Sequence, residues 1–197
     1  MMFLAGLDIG QVIDHMALAI VEASEARPAV YCLRFIYRWP LGLPNSVMIR
    51  DIKTVLAGLE ENVYLNVDYT GKGQVFAEFL ERAFQEKPRL KNVMTDYSVF
   101  SKAMKENLAS NVKLLLGEDR LRFAAGAGLH RSMVDELFDE LCNYQVRIHE
   151  SAKKGTPTSE LGALGYGQHD DLATALSLAL EDAEQAPAAT QIHWLHH

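Results

Sequence analysis

The chain has 197 residues, of which 49% are hydrophobic, and it carries a formal net charge of −7. This length suffices for one domain with its own core, and no run approaches the roughly 20 apolar residues of a membrane-spanning helix. The N-terminal segment MMFLAGLDIG reaches an acidic residue early and lacks a basic leader, so we expect no signal peptide. The negative charge argues against holding nucleic acid by bulk electrostatics alone, but it is compatible with an acidic centre that metal ions neutralise.

The first part of the sequence predicts three strands and a helix. Alternating, β-branched and aromatic residues place the strands at 3–9, 15–23 and 30–38. Trp39-Pro40 ends the third strand, because a proline cannot donate a hydrogen bond to a neighbouring strand. A helix of about fifteen residues follows, with apolar residues at helical spacing and Ser46 as its expected N-cap.

Strands and helices then alternate along the chain. A short strand at 63–67 runs into Asp68 and a glycine-containing turn, and further strands are predicted at 91–94 and 121–123. Helices are predicted at 74–84, 101–116 and 132–144. The glycine-rich stretch 145–168 is predicted to be an irregular hairpin or a mobile loop. In GQHDDLATALSLAL, apolar residues at helical spacing predict a last helix, with Asp170 as its N-cap.

Three antiparallel-looking strands followed by this alternation predict an α/β fold of three layers, a mixed central sheet with helices on both faces. We expect residues 1–184 to form this single domain. The remaining residues, 185–197, are expected to be a flexible C-terminal tail.

Acidic residues mark corresponding places in the predicted fold. Asp8 ends the first strand, Asp68 ends the strand expected beside it, and Asp170 and Asp171 begin the last helix. Sites in open α/β sheets form at the carboxyl ends of neighbouring strands. Asp14 lies in the hairpin after the first strand and is expected to fold back toward the same edge. Each acid alone also fits an ordinary turn or cap.

Carboxylates driven together raise one another's pKa and repel, and divalent cations between them remove that cost. Hard oxygen ligands suit Mg²⁺ or Mn²⁺. Two such ions about 4 Å apart can activate a water molecule and stabilise the leaving oxygen in phosphodiester cleavage. The acids together therefore favour a two-metal site over a set of unrelated turn residues.

Three segments in this order, GLDIG with Asp8, VDYTGKG with Asp68 and GQHDDLATALSLAL, resemble the nuclease domain of the large terminase subunit of tailed bacteriophages. The resemblance covers about residues 3 to 184. It implies a ribonuclease H-like fold and an endonuclease that cuts double-stranded DNA with two Mg²⁺ or Mn²⁺ ions. It also implies catalytic roles as metal ligands for Asp8, Asp68 and Asp171, with Asp170 as a further ligand and Asp14 as an accessory acid.

The resemblance extends to residues around these acids. Lys72 follows Asp68 in the turn, and Lys153 and Lys154 lie in a loop that borders the active site in this family, so all three are candidates for phosphate contacts. A solvated loop is the alternative for the last two. His169 is a candidate for orienting a ligand carboxylate or touching the scissile phosphate, or it is an ordinary turn residue.

The family resemblance also implies partners and a location. These are double-stranded DNA, an ATPase motor, a small terminase subunit and a portal, in the cytoplasm of a bacterial host that carries a phage or prophage. Large terminases carry the motor before the nuclease, and no GxxxxGK[ST] phosphate loop occurs here. The chain is therefore either an excised domain or a stand-alone nuclease. Tyr69 also departs from the family, which often has a small residue at this position.

Three other readings of the sequence stay open. Ribonuclease H-like Holliday-junction resolvases place acids on the same elements. An actin-like or sugar-kinase-like ATP-binding domain also begins with a strand and the pattern DxG, as at Asp8, but such proteins usually have two similar domains. The third alternative is a nuclease-fold module that binds or docks on DNA without cutting it.

Overall fold

The computed structural model describes residues 1–10, 14–70, 73–85, 90–99, 102–124, 129–150, 157–163, 169–181 and 183. Within these ranges the chain forms eight strands and five helices. In chain order they are β1 (Met2–Asp8), β2 (Ala17–Ala23), β3 (Tyr31–Arg38), α1 (Asn45–Ala57), β4 (Val63–Asp68), α2 (Gly73–Gln85), β5 (Val93–Ser98), α3 (Lys102–Gly117), β6 (Leu121–Phe123), α4 (Arg131–Asn143), β7 (Tyr144–Glu150), β8 (Pro157–Ala163) and α5 (Asp171–Ala179).

Six strands form one mixed sheet in the order β5-β4-β1-β2-β3-β6. Strand β2 is antiparallel to both β1 and β3, whereas β4 runs parallel to β1, β5 parallel to β4 and β6 parallel to β3. Strands β4, β5 and β6 each follow a helix, and each pairs in parallel with its neighbour in the sheet. A crossover helix has this effect because it returns the chain to the same end of the sheet. The expected neighbourhood of the first and fourth strands is confirmed.

Helices cover both faces of this sheet. Alternate residues of β1 point to opposite sides: Ala5 and Leu7 pack with the apolar residues of α1 and α2, whereas Leu4 packs with those of α3, α4 and α5. The two apolar clusters form the two halves of the core, one on each face. The predicted three-layer α/β fold is therefore confirmed.

Helix α5 is the central helix of its layer. All nine of its residues are buried, since the sheet lies on one side and α3 and α4 lie on the other. A helix that is apolar around its whole circumference is typical of such a position. Gly6 of β1 permits the close approach, because a Cβ there would lie 2.1 Å from the carbonyl oxygen of Ala175 and 2.4 Å from the nitrogen of Ala179.

Several boundaries differ from the expectation. Ser46 is not the N-cap of the first helix: α1 begins at Asn45 and its N-cap is Pro44, with a φ of −62°. A proline's fixed φ suits the start of a helix without a side-chain cap. Strand β5 extends to Ser98, which pairs with Asp68. Strands β7 and β8 pair antiparallel in a sheet of their own, in agreement with the hairpin alternative for 145–168, but β7 begins at Tyr144, which was predicted to end a helix.

In the described part of the chain, no helix is both long enough and apolar enough to cross a membrane. Residues 185–197, which we expected to be a flexible tail, lie outside the described residues.

Candidate metal centre

Asp8 and Asp68 leave adjacent parallel strands at the same level. Leu7 pairs with Val67, and each acid is the next residue of its strand. Both acids continue the series of residues that faces α5: Leu4 and Gly6 in β1, and Tyr64 and Asn66 in β4. Strands in a sheet are about 4.8 Å apart, so the register alone brings the two half-buried carboxylates close together.

The Asp68 carboxylate is held by the backbone of the turn that follows it. Its Oδ1 atom accepts a hydrogen bond of 2.8 Å from the N–H of Thr70. This is the local side-chain-to-backbone bond that Asp makes readily in turns. The bond fixes the orientation of the carboxylate at the end of β4.

Helix α5 brings Asp171 to the same edge of the sheet. The helix runs opposite to β1, because Ala175 and Ala179 lie over Gly6 while the carbonyl of Ala183 accepts a hydrogen bond from the Tyr31 hydroxyl at the far end of β3. Its first residue, Asp171, is only 4% exposed. The Oδ2 atom of Asp171 is buried and has no hydrogen-bond partner among the described residues.

Arg38 lies on the same row of the sheet as Asp8. It pairs with Ala17 of β2, which in turn pairs with Asp8. Its guanidinium Nη1 atom donates to Oε1 of Glu140 over 2.6 Å and lies 3.8 Å from Oδ2 of Asp171, while Nη2 donates to Glu136. The second oxygen of Glu140 accepts a 2.9 Å bond from the N–H of Ala173. One carboxylate of α4 therefore joins the end of β3 to the first turn of α5.

Two histidines flank Asp171. The Nδ1 atom of His169 lies 3.7 Å from Oδ2 of Asp171, and the His169 ring meets the His15 ring edge to face at 4.9 Å. The Nδ1 atom of His15 is 2.9 Å from the carbonyl oxygen of Trp39. Because a carbonyl only accepts, Nδ1 of His15 carries a hydrogen and, in the neutral ring, Nε2 carries the lone pair.

Burial opposes the charges of two acids in this cluster. It raises the pKa of Asp171 to about 6, although the nearby His169 and Arg38 lower it. Burial likewise raises the pKa of Glu140 to about 7, against the lowering effect of the Ala173 N–H and Arg38. Low dielectric surroundings disfavour the ionised form of a carboxyl group, so a further cation beside Asp171 would stabilise its charge.

The remaining predicted residues are placed less centrally. Asp170 is half-buried at the N-cap position of α5, but its side chain makes no capping hydrogen bond to the described part of the helix. Asp14 is exposed in the connection between β1 and β2. Lys72, Lys153 and Lys154 lie outside the described residues.

Comparison with solved structures identifies the fold. No family model and no curated protein matches the sequence. The nuclease domain of the large terminase subunit gp2 of bacterial virus Sf6 is similar in structure, with a TM-score of 0.60 and 16% identity over 90% of this chain and 87% of that one. The fold is that of a large terminase nuclease domain. It is the ribonuclease H-like fold expected from the sequence.

Two further terminase nuclease domains have the same fold. That of bacteriophage SPP1, solved with bound Mn, gives a TM-score of 0.52 and 12% identity over 91% of this chain and 85% of that one. That of human cytomegalovirus, soaked with Mn and bound to an inhibitor, gives a TM-score of 0.57 and 10% identity over 92% of this chain and 82% of that one. At these identities the similarity establishes the fold alone.

Within this terminase nuclease fold, three charged residues near Asp171 were not singled out from the sequence: Arg38, Glu136 and Glu140. The sequence does contain one indication that Glu140 is buried. In α4, Glu140 lies three residues after the buried Leu137 and seven after Met133, so it falls on the apolar stripe of the helix. A charged residue on such a stripe indicates a buried partner.

Proposed function

We propose that this chain is a metal-dependent endonuclease that hydrolyses double-stranded DNA, as the nuclease unit of a large terminase. The proposal rests on the positions of three acidic residues. Asp8 and Asp68 end in register on the face of the sheet that α5 covers, and α5 begins with Asp171, whose buried Oδ2 atom has no hydrogen-bond partner among the described residues. Solved nuclease domains with Mn share this fold, which supports a divalent-cation site.

The donor set fits Mg²⁺ or Mn²⁺. Both ions prefer oxygen ligands, and a buried carboxylate oxygen without a hydrogen bond is an unfavourable group unless a cation or donor meets it. Asp8, Asp68 and Asp171 would hold two such ions, with Asp170 as a further ligand. Bound there, the two ions would activate water and stabilise the leaving oxygen of a phosphodiester.

The described side chains do not form a complete metal-binding site. Within the described residues, no group of three or more His, Cys, Asp or Glu side chains is arranged to hold a metal ion. Carboxylates of like charge repel one another. We therefore expect the ligand set to be complete only when the cations bind.

Other residues would bind and orient the DNA. His169 would orient Asp171 or contact the scissile phosphate, and Asp14 would act as an accessory acid at the rim. Lys72, Lys153 and Lys154 would contact backbone phosphates. The domain at residues 1–184 would work with an ATPase motor, a small terminase subunit and a portal in the cytoplasm of a phage-carrying bacterial host, with 185–197 as a flexible tail.

The first experiment is a plasmid cleavage assay with the full chain in Mn²⁺, Mg²⁺, Ca²⁺ or EDTA. We expect cleavage with Mn²⁺ or Mg²⁺, none in EDTA, and a loss of at least about 100-fold in Asp68→Asn, because a metal ligand is removed. Asp135→Asn is the matched control, since Asp135 is an exposed acid on α4 that is 3.9 Å from Arg131. Cleavage that persists in EDTA or in Asp68→Asn contradicts the proposal.

A substrate panel separates the related functions. Equal cleavage of linear and supercoiled duplex, without preference for a four-way junction, is the outcome expected of a terminase nuclease. A strong preference for the junction would instead indicate a resolvase. Absence of both cleavage and Mn²⁺ binding would indicate a non-catalytic module.

A further inference from the structure

The guanidinium of Arg38 is the nearest described cation to the carboxylate of Asp171 that cannot lose its charge. Its side chain is 15% exposed, and Nη1 lies 3.8 Å from the Asp171 Oδ2 atom. An arginine stays protonated in proteins, so this positive charge persists at every working pH. A shift of roughly 1 Å would turn this approach into a charge-assisted hydrogen bond of ordinary length.

Two carboxylates of α4 accept hydrogen bonds from the same guanidinium. Glu140 accepts from Nη1 and Glu136 accepts from Nη2. Glu140 is buried, whereas the Glu136 side chain is 40% exposed. Glu140 also accepts from the N–H of Ala173, two residues after Asp171, so the Arg38–Glu140 pair and the first turn of α5 are fixed relative to each other.

We propose that Glu140 and Glu136 are positioning residues, which hold the Arg38 guanidinium off Asp171 and so keep the Oδ2 atom of Asp171 available to a divalent cation. This inference rests on the proposed function. Without the α4 carboxylates, Arg38 would take Asp171 as its nearest partner. It would then hydrogen-bond the Oδ2 atom and place a fixed positive charge beside the proposed cation site.

The test is Mn²⁺ binding to the full chain by calorimetry, without DNA and without turnover. We expect Glu140→Gln to bind Mn²⁺ about tenfold more weakly than the wild type, the size typical for residues that orient a metal ligand. The double variant Glu140→Gln with Arg38→Gln is expected to recover binding to within about threefold of the wild type, because no guanidinium remains to compete.

The recovery distinguishes the proposal from a purely structural role. If Glu140 only fixed α5 through Ala173, the double variant would bind as weakly as Glu140→Gln or more weakly, and the proposal would be wrong. Asp135→Asn controls for the loss of one negative charge on α4 and is expected to bind like the wild type.

A second variant covers the case in which Glu140→Gln does not fold. Glu136 bonds Arg38 but is half-exposed, so Glu136→Gln is expected to fold and to bind Mn²⁺ about threefold more weakly, with recovery on adding Arg38→Gln. Unchanged binding in Glu136→Gln and Glu140→Gln, with normal wild-type binding, overturns this inference alone. No Mn²⁺ binding by the wild type overturns the proposed function as well.

Discussion

Asp171 combines a structural cost with a proposed catalytic use. It is buried at the start of α5, and its pKa is raised to about 6. Ionising this carboxyl group therefore costs more free energy in the folded protein than in water. Natural proteins retain such groups where function requires them. The ionised side chain is therefore expected to lower the stability of the metal-free protein, although the proposed metal-bound form requires it.

Asp171→Asn tests this opposition directly. We expect the variant to lose cleavage by at least about 100-fold, because a proposed metal ligand is removed, and to melt at a higher temperature than the wild type at pH 8 in EDTA. The amide keeps the shape and removes the buried charge. Thermal denaturation with and without Mn²⁺ measures both effects. A lower melting temperature in EDTA would contradict the account of Asp171.

Glu140 makes the stability of the folded protein depend on pH, and its raised pKa determines the direction of that dependence. Its pKa is about 7 in the folded protein, against an ordinary value of 4.5, so the folded state binds more protons than the unfolded state between these values. Stability contributed by this group is complete below about pH 4.5 and falls as the pH rises toward 7. Asp171, with a pKa of about 6, acts in the same direction.

The measurement is urea denaturation in EDTA at several pH values for the wild type and Glu140→Gln. The difference in unfolding free energy between them is expected to shift in favour of the variant from pH 4.5 to 7 and to stay constant above. Comparing the two proteins removes the contributions of titrating groups that do not interact with Glu140. A difference that does not vary with pH would show that Glu140 has the same pKa in the folded and unfolded states.

At the scale of elements, the contact between α5 and β1 sets the position of Asp171. Gly6→Ala would place a Cβ within 2.1 Å of the Ala175 carbonyl oxygen, so the helix must move away from the strand. We expect a loss of about 2 kcal/mol or more in unfolding free energy, as for other overpacked sites, together with a large loss of cleavage. Chemical denaturation and the plasmid assay measure these.

Gly117→Ala is the control for the glycine substitution. A Cβ at Gly117, at the end of α3, meets no atom within 4 Å. This variant is expected to stay within about 0.5 kcal/mol of the wild type and to keep full cleavage. Equal stability of Gly6→Ala and Gly117→Ala would show that α5 adjusts to the strand without cost.

Local patterns predicted most elements but not all of their contacts. The strands leading to Asp8 and Asp68 and the helix after Asp170 follow from hydrophobic periodicity, and they place the three acids. The prediction that Ser46 caps the first helix is wrong, because the helix begins at Asn45 with Pro44 as its N-cap. The partners of Arg38 were not predictable, since Glu136 and Glu140 are 98 and 102 positions away and only the folded sheet brings them together.

For the whole molecule, the net charge of −7 makes DNA binding depend on a few local cations. If Lys72, Lys153 and Lys154 each contact one phosphate, log affinity falls with log salt at a slope of about −2.7, so fourfold more salt weakens binding by roughly 40-fold. Fluorescence anisotropy with Asp68→Asn, which is expected to bind DNA without cutting it, measures the slope. Changing Lys153 and Lys154 to Gln is expected to reduce it by about 1.8. An unchanged slope would exclude these contacts.

The position of α5 also has a consequence for biosynthesis. Gly6 and Ala175 touch in the folded protein, yet they are made far apart in time, by roughly 8 to 35 s at ordinary rates of translation. Until α5 leaves the ribosome, one face of the sheet keeps small and apolar residues such as Ala19 and Leu33 uncovered. A nascent chain in this state is a substrate for chaperones, and Asp171 reaches the end of the sheet where β1 and β4 end only when that apolar face is closed.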